Sequence, residues 1–296
     1  MKAAPFAYVR PGTVPDVVAE LAAGAAEDAK VLAGGQSLMP VLAMRLGRPG
    51  VLVDINAVPE LAVISAGSGG TLRIGAAVRQ REAQEHSATA AVPLLRMALP
   101  WVGHREIRGR GTVCGSLAHA DPAAELPAVA CCLGATITAV SARGRRSIAA
   151  TDLFAGPLTT ILEPDELLES VSFPATEPGD GFGFAEVARR HGDFALAGVA
   201  VRVRSGPTAT AVCFGVADRP VTRDVSEWVR EVLSSGGASE DELRTRFTAG
   251  AGDFAADVVT TGDAQGGAGY RRRLIREMAA DQLARATAQF LAGGER

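Results

Sequence analysis

The residues best suited to chemistry in this chain sit in two glycine-rich stretches. The first is Val31-Leu-Ala-Gly-Gly-Gln-Ser-Leu-Met-Pro40, a β-prone run that enters two glycines and a serine and then takes up a helical rhythm. Consecutive glycines permit positive φ and close approach, so successive backbone N–H groups can turn into one concavity beside a helix start, where phosphate is the natural guest. The pattern is neither G-x-G-x-x-G nor G-x-x-x-x-G-K-[ST], so Rossmann and P-loop readings lack their signature. Standing alone, a Gly-Gly after a strand is equally a plain tight turn.

The second stretch is Arg108-Gly-Arg-Gly-Thr-Val-Cys-Gly-Ser-Leu-Ala-His-Ala-Asp-Pro122, with three glycines, two hydroxyls and two arginines between 108 and 116. Backbone donors, the Thr112 and Ser116 hydroxyls and guanidinium forks can together hold a second phosphate or a polyol chain. Two such loops about 75 residues apart say more than either alone, because a pyrophosphate bridging two lobes would use both. The four cysteines, Cys114, Cys131, Cys132 and Cys213, show no C-x-x-C spacing, so neither zinc nor an iron–sulfur cluster is expected within this chain. Cys131 and Cys132, in VACCLGA, read as small apolar core residues. No Ser-His-Asp set or substrate base can be picked out, so no catalytic residue and no metal ligand is assigned.

Elements of α/β type must position these loops. Phe6–Arg10 reads as a short strand closed by Pro11-Gly12, Val14–Gly24 as a helix capped by Thr13, and Val31–Ala33 as the strand entering the first loop. Leu38–Leu46 keeps a helical rhythm up to Gly47, and Val51–Ile55 is strongly β-prone. From about Leu61, LAVISAGSGGTLRIGAAV forms two alternating runs around a Gly-Ser-Gly-Gly turn, a hairpin that opens a second lobe. Helices are expected at Arg79–His86 and Val92–Val102, then an irregular segment from Gly103 to Ser116. Asp121-Pro122 is expected to open a helix, with Asp121 as its cap and Pro122 at its first position. Thr136–Val140 and Ser147–Ala149 pair as a hairpin, and Leu168–Phe173 is a further strand.

The turn-rich run from Pro174 to Gly181 reads as a linker. The expected domains are therefore 1–177, with lobes of about 1–56 and 57–177, and 178–296. The second carries strands at Phe182–Arg189, Ala197–Arg204 and Ala209–Val216 and helices at Ser226–Leu233, Glu240–Thr248 and Tyr270–Leu291. Leu274, Met278, Leu283, Ala286 and Phe290 mark the apolar stripe of the last helix.

Composition narrows the class. The 296 residues include 47% apolar and 21% charged side chains, close to the globular average, and the 34 glycines and 16 prolines are scattered. With 30 basic against 33 acidic residues the net charge is −3, which offers no footprint for nucleic acid. No apolar run approaches the roughly 18 residues of a membrane span, so no integral membrane segment is expected. The amino terminus lacks the apolar stretch of a signal peptide. A reducing cytoplasmic setting fits the unpaired cysteines.

The ordered set AGGQSLMP at 33–40, RGTVCGSLAHADPAAELPA at 110–128, DLFAGPLTTILEPDELL at 152–168 and FAEVARRHGDFALAGVA at 184–200 resembles the FAD-binding medium subunit of molybdenum hydroxylases. These are flavoproteins of the carbon monoxide dehydrogenase and xanthine dehydrogenase type. The resemblance covers nearly the whole chain, through GYRRRLIREMAADQLARA. It implies an α+β fold: a two-lobed FAD-binding domain of the vanillyl-alcohol-oxidase (PCMH) type and a smaller carboxy-terminal α+β domain with an antiparallel sheet and helices. It implies noncovalent FAD, so His104 and His119 are not expected as attachment points. Ala33, Gly34, Gly35, Gln36, Ser37 and Leu38 would wrap the pyrophosphate, joined by Thr112, Gly115 and Ser116. Glu125 would meet the ribityl hydroxyls, with Asp121 also among the cofactor-binding residues, Leu162 near the isoalloxazine edge and Phe194 over a ring face.

Two positions depart from the family pattern. Cys114 replaces a glycine common in relatives, and Glu186 stands where a lysine often flanks the flavin. Without a nearby cation the flavin potential should be lower unless Arg189 or Arg190 substitutes. The function implied is an FAD-dependent electron-transfer subunit that takes electrons from a small [2Fe-2S] subunit and passes them to an external acceptor. A large molybdopterin subunit would oxidise the substrate, and the assembly expected is a dimer of heterotrimers. The rival is a stand-alone flavoenzyme that oxidises a small organic substrate directly.

Overall fold

The computed structural model describes residues 2–236 and 239–294. Its amino-terminal part is a three-stranded parallel sheet in the order Ala7–Val9, Val51–Asp54, Lys30–Leu32. The helix Val14–Gly24 begins where Thr13 Oγ1 accepts the Asp16 amide at 3.3 Å, and it buries Val14, Val17, Val18 and Leu21, the spacing of one helical face. The strand before the first glycine loop ends at Leu32, and the helix after that loop spans only Leu38–Ala43. Its expected continuation to Leu46 is cut short by left-handed Arg45.

A second, antiparallel sheet runs Ile64–Ala66, Leu72–Gly75, Leu167–Phe173, Thr136–Ser141, Gly144–Ala149. The segment expected to be irregular, 103–116, holds the short helix Arg105–Arg108 and the start of Val113–His119. Thr112 caps the latter by accepting the Gly115 amide at 3.0 Å. The helix expected to open at Asp121 begins at Glu125 and runs to Leu133. Asp121 instead closes a tight turn through the Ala123 amide at 2.9 Å, while the Pro122 carbonyl accepts the distant Gly215 amide at 2.8 Å. That tertiary bond holds the backbone out of the helix.

All nine residues of Glu125–Leu133 are buried because the helix is sandwiched between the amino-terminal elements and a third sheet. This sheet is a meander of Gly181–Ala188, Ala195–Arg204, Thr208–Phe214 and Val221–Asp224, the last strand having no clear sequence signal. Its strands alternate sides: Phe182, Phe184, Ala200, Val212 and Phe214 join the first core, while Val199, Val201, Val203 and Cys213 join a second. Helices Ser226–Ser234, Glu240–Val258 and Ala268–Gly294 build that second core. Glu240–Val258 runs ten residues beyond the expected end. Gly183 lets the last helix close on the sheet, since a Cβ there would meet the Gln282 carbonyl oxygen at 2.6 Å. The turn-rich run at 174–181 is tied down by Asp180, whose carboxylate accepts from Arg202 at 2.7 Å with both side chains almost fully buried.

Candidate functional site

The two glycine loops, far apart in sequence, touch. A Cβ on Gly34 would lie 2.5 Å from the Arg110 carbonyl oxygen and 2.7 Å from Gly111 Cα, so only a glycine allows the backbones to come this close. A polar latch holds them there. Asn56 Nδ2 donates to the Ala33 carbonyl at 2.9 Å, its Oδ1 accepts from Arg79 Nη2 at 2.5 Å, and Arg79 Nη1 donates to the Arg110 carbonyl at 2.6 Å. Behind it, Asp54 Oδ1 accepts from the Asn56 amide at 2.9 Å and Oδ2 from the Tyr8 hydroxyl. Burial would raise the Asp54 carboxyl, but these hydrogen bonds outweigh it and hold the group below the usual carboxylate range. Gln80 adds its amide to the Gly111 carbonyl at 2.9 Å.

The cradle so formed is rich in uncommitted donors. Among the described residues, the amides of Gly34, Gly35, Gln36 and Ser37 donate to nothing, and nor does that of Thr112. Gly35 has φ +73°, which turns the peptide planes so that consecutive N–H groups share one concavity. Ser37 makes no side-chain cap bond, leaving its hydroxyl uncommitted. Such a run of donors without a partner in the chain is open to an acceptor from outside it, and a pyrophosphate has the charge and the oxygens for it. The residues present therefore fit the diphosphate of a dinucleotide.

A different chemistry lies beyond the second glycine loop. Glu125 opens the buried helix and Glu186 lies on the strand Gly181–Ala188, and both carboxyls are buried. Burial pushes Glu125 up to about 7, with repulsion from Asp121 adding to it and the Arg108 charge opposing it. Burial likewise pushes Glu186 up to about 8, with the Glu125 charge reinforcing the shift.

The structure thus brings the loop of Ala33, Gly34, Gly35, Gln36, Ser37 and Leu38 against Arg110 and Gly111, immediately before Thr112, which caps the helix holding Gly115 and half-buried Ser116. Asp121 and Glu125 follow at the end of that helix. Leu162 packs half-buried against the main core. Phe194 is 64% exposed and makes no ring contact among the described residues, so the protein itself does not position its ring. It follows a turn in which Gly192 packs against the His104 imidazole, and His191 stacks on Trp101 at 5.8 Å. Arg189 and Arg190 are exposed. All four cysteines are buried, and burial raises each thiol well above its ordinary range. Among the described residues no cluster of His, Cys, Asp and Glu could hold a metal ion, and no helix is long and apolar enough to cross a membrane. Sequence reasoning missed Asn56 and Arg79, which lie in no glycine run and carry no motif.

Residues 4–176 match the family described as FAD binding domain in molybdopterin dehydrogenase, and the chain belongs to this family of flavin-dependent oxidoreductase subunits. It is 38% identical over 290 residues to the 6-hydroxypseudooxynicotine dehydrogenase complex subunit alpha of Paenarthrobacter nicotinovorans, covering 97% of this chain and 96% of that one. It is 32% identical over 280 residues to the carbon monoxide dehydrogenase medium chain of Hydrogenophaga pseudoflava, covering 92% and 94%. The solved carbon monoxide dehydrogenase of the same organism, in a form lacking the Mo-pyranopterin moiety, superposes with a TM-score of 0.86 at 30% identity over 98% of this chain and 99% of that one. The expected family and its α+β fold are those found.

Proposed function

We propose that this chain is the electron-transfer subunit of a molybdenum hydroxylase, holding FAD noncovalently, taking electrons from a [2Fe-2S] partner and passing them to an external acceptor. Residues 1–177 would form the flavin domain and 178–296 close over it. The observation that carries this reading is the direct contact of Gly34 with Arg110-Gly111, which makes one donor-lined cradle from two loops. The amides of Gly34 to Ser37, the Ser37 hydroxyl and the Thr112, Gly115 and Ser116 segment would hold the pyrophosphate. Thr112 Oγ already accepts the Gly115 amide, which leaves its proton to donate. Asp121 and Glu125 would meet the ribityl chain, Leu162 the isoalloxazine edge and Phe194 a ring face. The redox chemistry is the flavin's own; the protein binds it, orients it and sets the charge around it. A small iron–sulfur subunit and a large molybdopterin subunit would supply the rest, in a cytoplasmic dimer of heterotrimers. The medium-chain relative named above supports this division of labour.

The test is affinity purification of the tagged chain from its native host, with flavin and metal analysis of the eluate. The expected result is about one acid-extractable FAD per chain together with iron and molybdenum on co-purifying subunits. A yellow acid pellet would show a covalent link and overturn the noncovalent assignment. Flavoprotein recovered alone, and oxidising a small organic substrate by itself, would replace the subunit reading with a stand-alone flavoenzyme.

A further inference from the structure

The helix after the first glycine loop, Leu38–Ala43, ends against two local rules. Its last turn closes with the Arg45 amide donating to the Leu42 carbonyl and the Leu46 amide to the Val41 carbonyl, both at 3.0 Å. That bond pattern puts a left-handed residue at position 45. Glycine normally fills such a place, and one stands two residues later at Gly47, yet Arg45 takes it with φ +58°. The residue that follows usually packs back on the helix, whereas Leu46 is 75% exposed. The turn is anchored by the Arg45 side chain, whose Nε donates to the Lys2 carbonyl at 3.1 Å. Two adjacent residues that break local rules on the surface mark side chains kept for a use outside the fold.

The surface so built is apolar and basic. Met39 and Met44 are exposed as well as Leu46, and the three flank a helix only about 9 Å long. Lys2, Arg45 and Arg48 are exposed beside them, and no acidic residue occurs between Asp28 and Asp54. The acids on either side are otherwise placed: Glu27 packs at Gly50, Asp28 pairs with Lys30 at 2.8 Å, and Asp54 sits in the latch. Among the described residues Lys2, Arg45 and Arg48 form no ion pair. The surface adjoins the cradle, because a Cβ on Gly35 would lie 3.3 Å from Met39 Cγ.

We propose that this face docks the iron–sulfur subunit, an acidic partner that lays apolar side chains over Leu46, Met44 and Met39. The choice of that subunit rests on the functional reading above. Charge decides among the possible occupants. A two-fold contact with a second copy would set the same cations against one another. A helix of six residues is too short to present the amphipathic face that lies on a membrane. A cluster held by thiolates is itself an anion, so a protein that carries one near its surface meets this face with opposite charge. Exposed methionines are adaptable contacts and are enriched in interfaces, and the cations around them form the polar rim. A donor docked here lies next to the loop that would hold the cofactor.

The test measures binding of the full chain, with and without FAD, to the [2Fe-2S] subunit separated from the native complex, at low and at high salt. Leu46→Asp should weaken binding about tenfold or more, because it sets an unpaired charge in the apolar centre. Its flavin content and thermal stability should match the wild type. Arg45→Gly should weaken binding about threefold and flatten its salt dependence. Its thermal stability should be no lower than the wild type, since glycine takes the left-handed position without strain. Equal affinity in the wild type and Leu46→Asp would overturn the docking face. So would self-association of the wild-type chain that Leu46→Asp abolishes, or binding to vesicles of phosphatidylcholine and phosphatidylserine that is lost in that variant while subunit binding is kept. A chain that takes up no FAD but binds the subunit through Leu46 would fail the flavin assignment and leave the docking face standing. An FAD-loaded chain with no affinity for the subunit would do the reverse.

Discussion

The candidate site has two parts built on opposite principles. The glycine cradle is made of backbone: its donors are amides, its shape comes from missing side chains, and its parts are held by a half-exposed polar latch. The acid end is made of side chains, two carboxyls buried by the junction of a helix with a sheet. The first presents fixed partial positive charge that does not change with pH. The second presents charge that can appear or vanish. A ligand lying across both would have its permanent anion held by groups that cannot titrate and its variable part watched by groups that can. The comparison teaches that binding and tuning are separable in this fold, since the donors of the cradle are backbone amides.

The largest effect expected from breaking this comparison is at Gly34. Replacing it by valine puts carbon 2.5 Å from the Arg110 carbonyl oxygen, and backbone at both sides must move. FAD binding should be abolished, as read by absorbance near 450 nm after purification, while thermal unfolding of the carboxy-terminal core remains cooperative. Gly35→Val should also lose flavin, though for another reason. Its Cβ would meet only the side chains of Leu32 and Met39 at 3.3 Å, and the cost is the φ of +73°. Normal flavin content in Gly34→Val would disprove the two-loop cradle.

The acid end should respond to pH where the cradle does not. Glu125 and Glu186 carry folded-state values raised to about 7 and about 8 from an ordinary 4.5. Raised carboxyls are more readily protonated in the folded state, so their protonated form favours folding. Stability from them is therefore fully present below about pH 4.5 and is lost as pH climbs through 7 and 8. Rises from 4.5 to about 7 and about 8 correspond at most to roughly 8 kcal/mol between them, and Glu186→Gln should remove more than half of the loss. Chemical denaturation of the FAD-free protein across that range is the measurement. A stability that stays level from pH 5 to 8 in the wild type would contradict the burial of both acids.

How far the sequence disclosed this arrangement differs between the two ends. Gly-Gly after a strand and the Arg-Gly-Thr run are local signals, and both loops form where the residues suggest. The helix Val14–Gly24, its Thr13 cap and the hairpins around Gly67 and Gly144 follow equally from local pattern. What joins the loops does not, because Asn56 and Arg79 act only through partners 23 to 31 residues away. Asp121 looked like a helix cap and is a turn residue, since the Gly215 amide claims the Pro122 carbonyl from the third sheet. The helix expected to end at Thr248 runs on through Gly250, which sits mid-helix against the Trp228 indole, where a Cβ would be 2.8 Å from Nε1. Glu186 was visible as a departure from its relatives. That it and Glu125 would both be buried required the sheet and the helix to be placed.

The latch offers a way to sharpen the comparison, because it touches the cradle's shape without touching its donors. Asn56→Ala removes the partner of the Ala33 carbonyl and of Arg79 Nη2 together. The loss should be about 2 kcal/mol, close to a thirtyfold weaker FAD affinity, read by isothermal titration of FAD into the stripped protein. Its dependence on pH should match the wild type, since the acid end is untouched. Affinity unchanged from the wild type would mean the loops hold their contact through Gln80 and packing alone.

The smallest effect belongs to Ser37→Ala, which deletes a single hydroxyl and leaves the four orphaned amides in place. The hydroxyl makes no cap bond in the protein, so its removal costs the fold nothing and any change is assigned to the ligand. One hydrogen bond to a charged oxygen is worth roughly 1.5 kcal/mol at the low end of its range, or about tenfold in dissociation constant. The deficit should be the same for FAD and for ADP, which share the pyrophosphate, and absent for FMN, which lacks the second phosphate. An equal loss for FMN would place Ser37 at the flavin phosphate, whereas no loss for any of the three would leave the amides as the only donors of this loop.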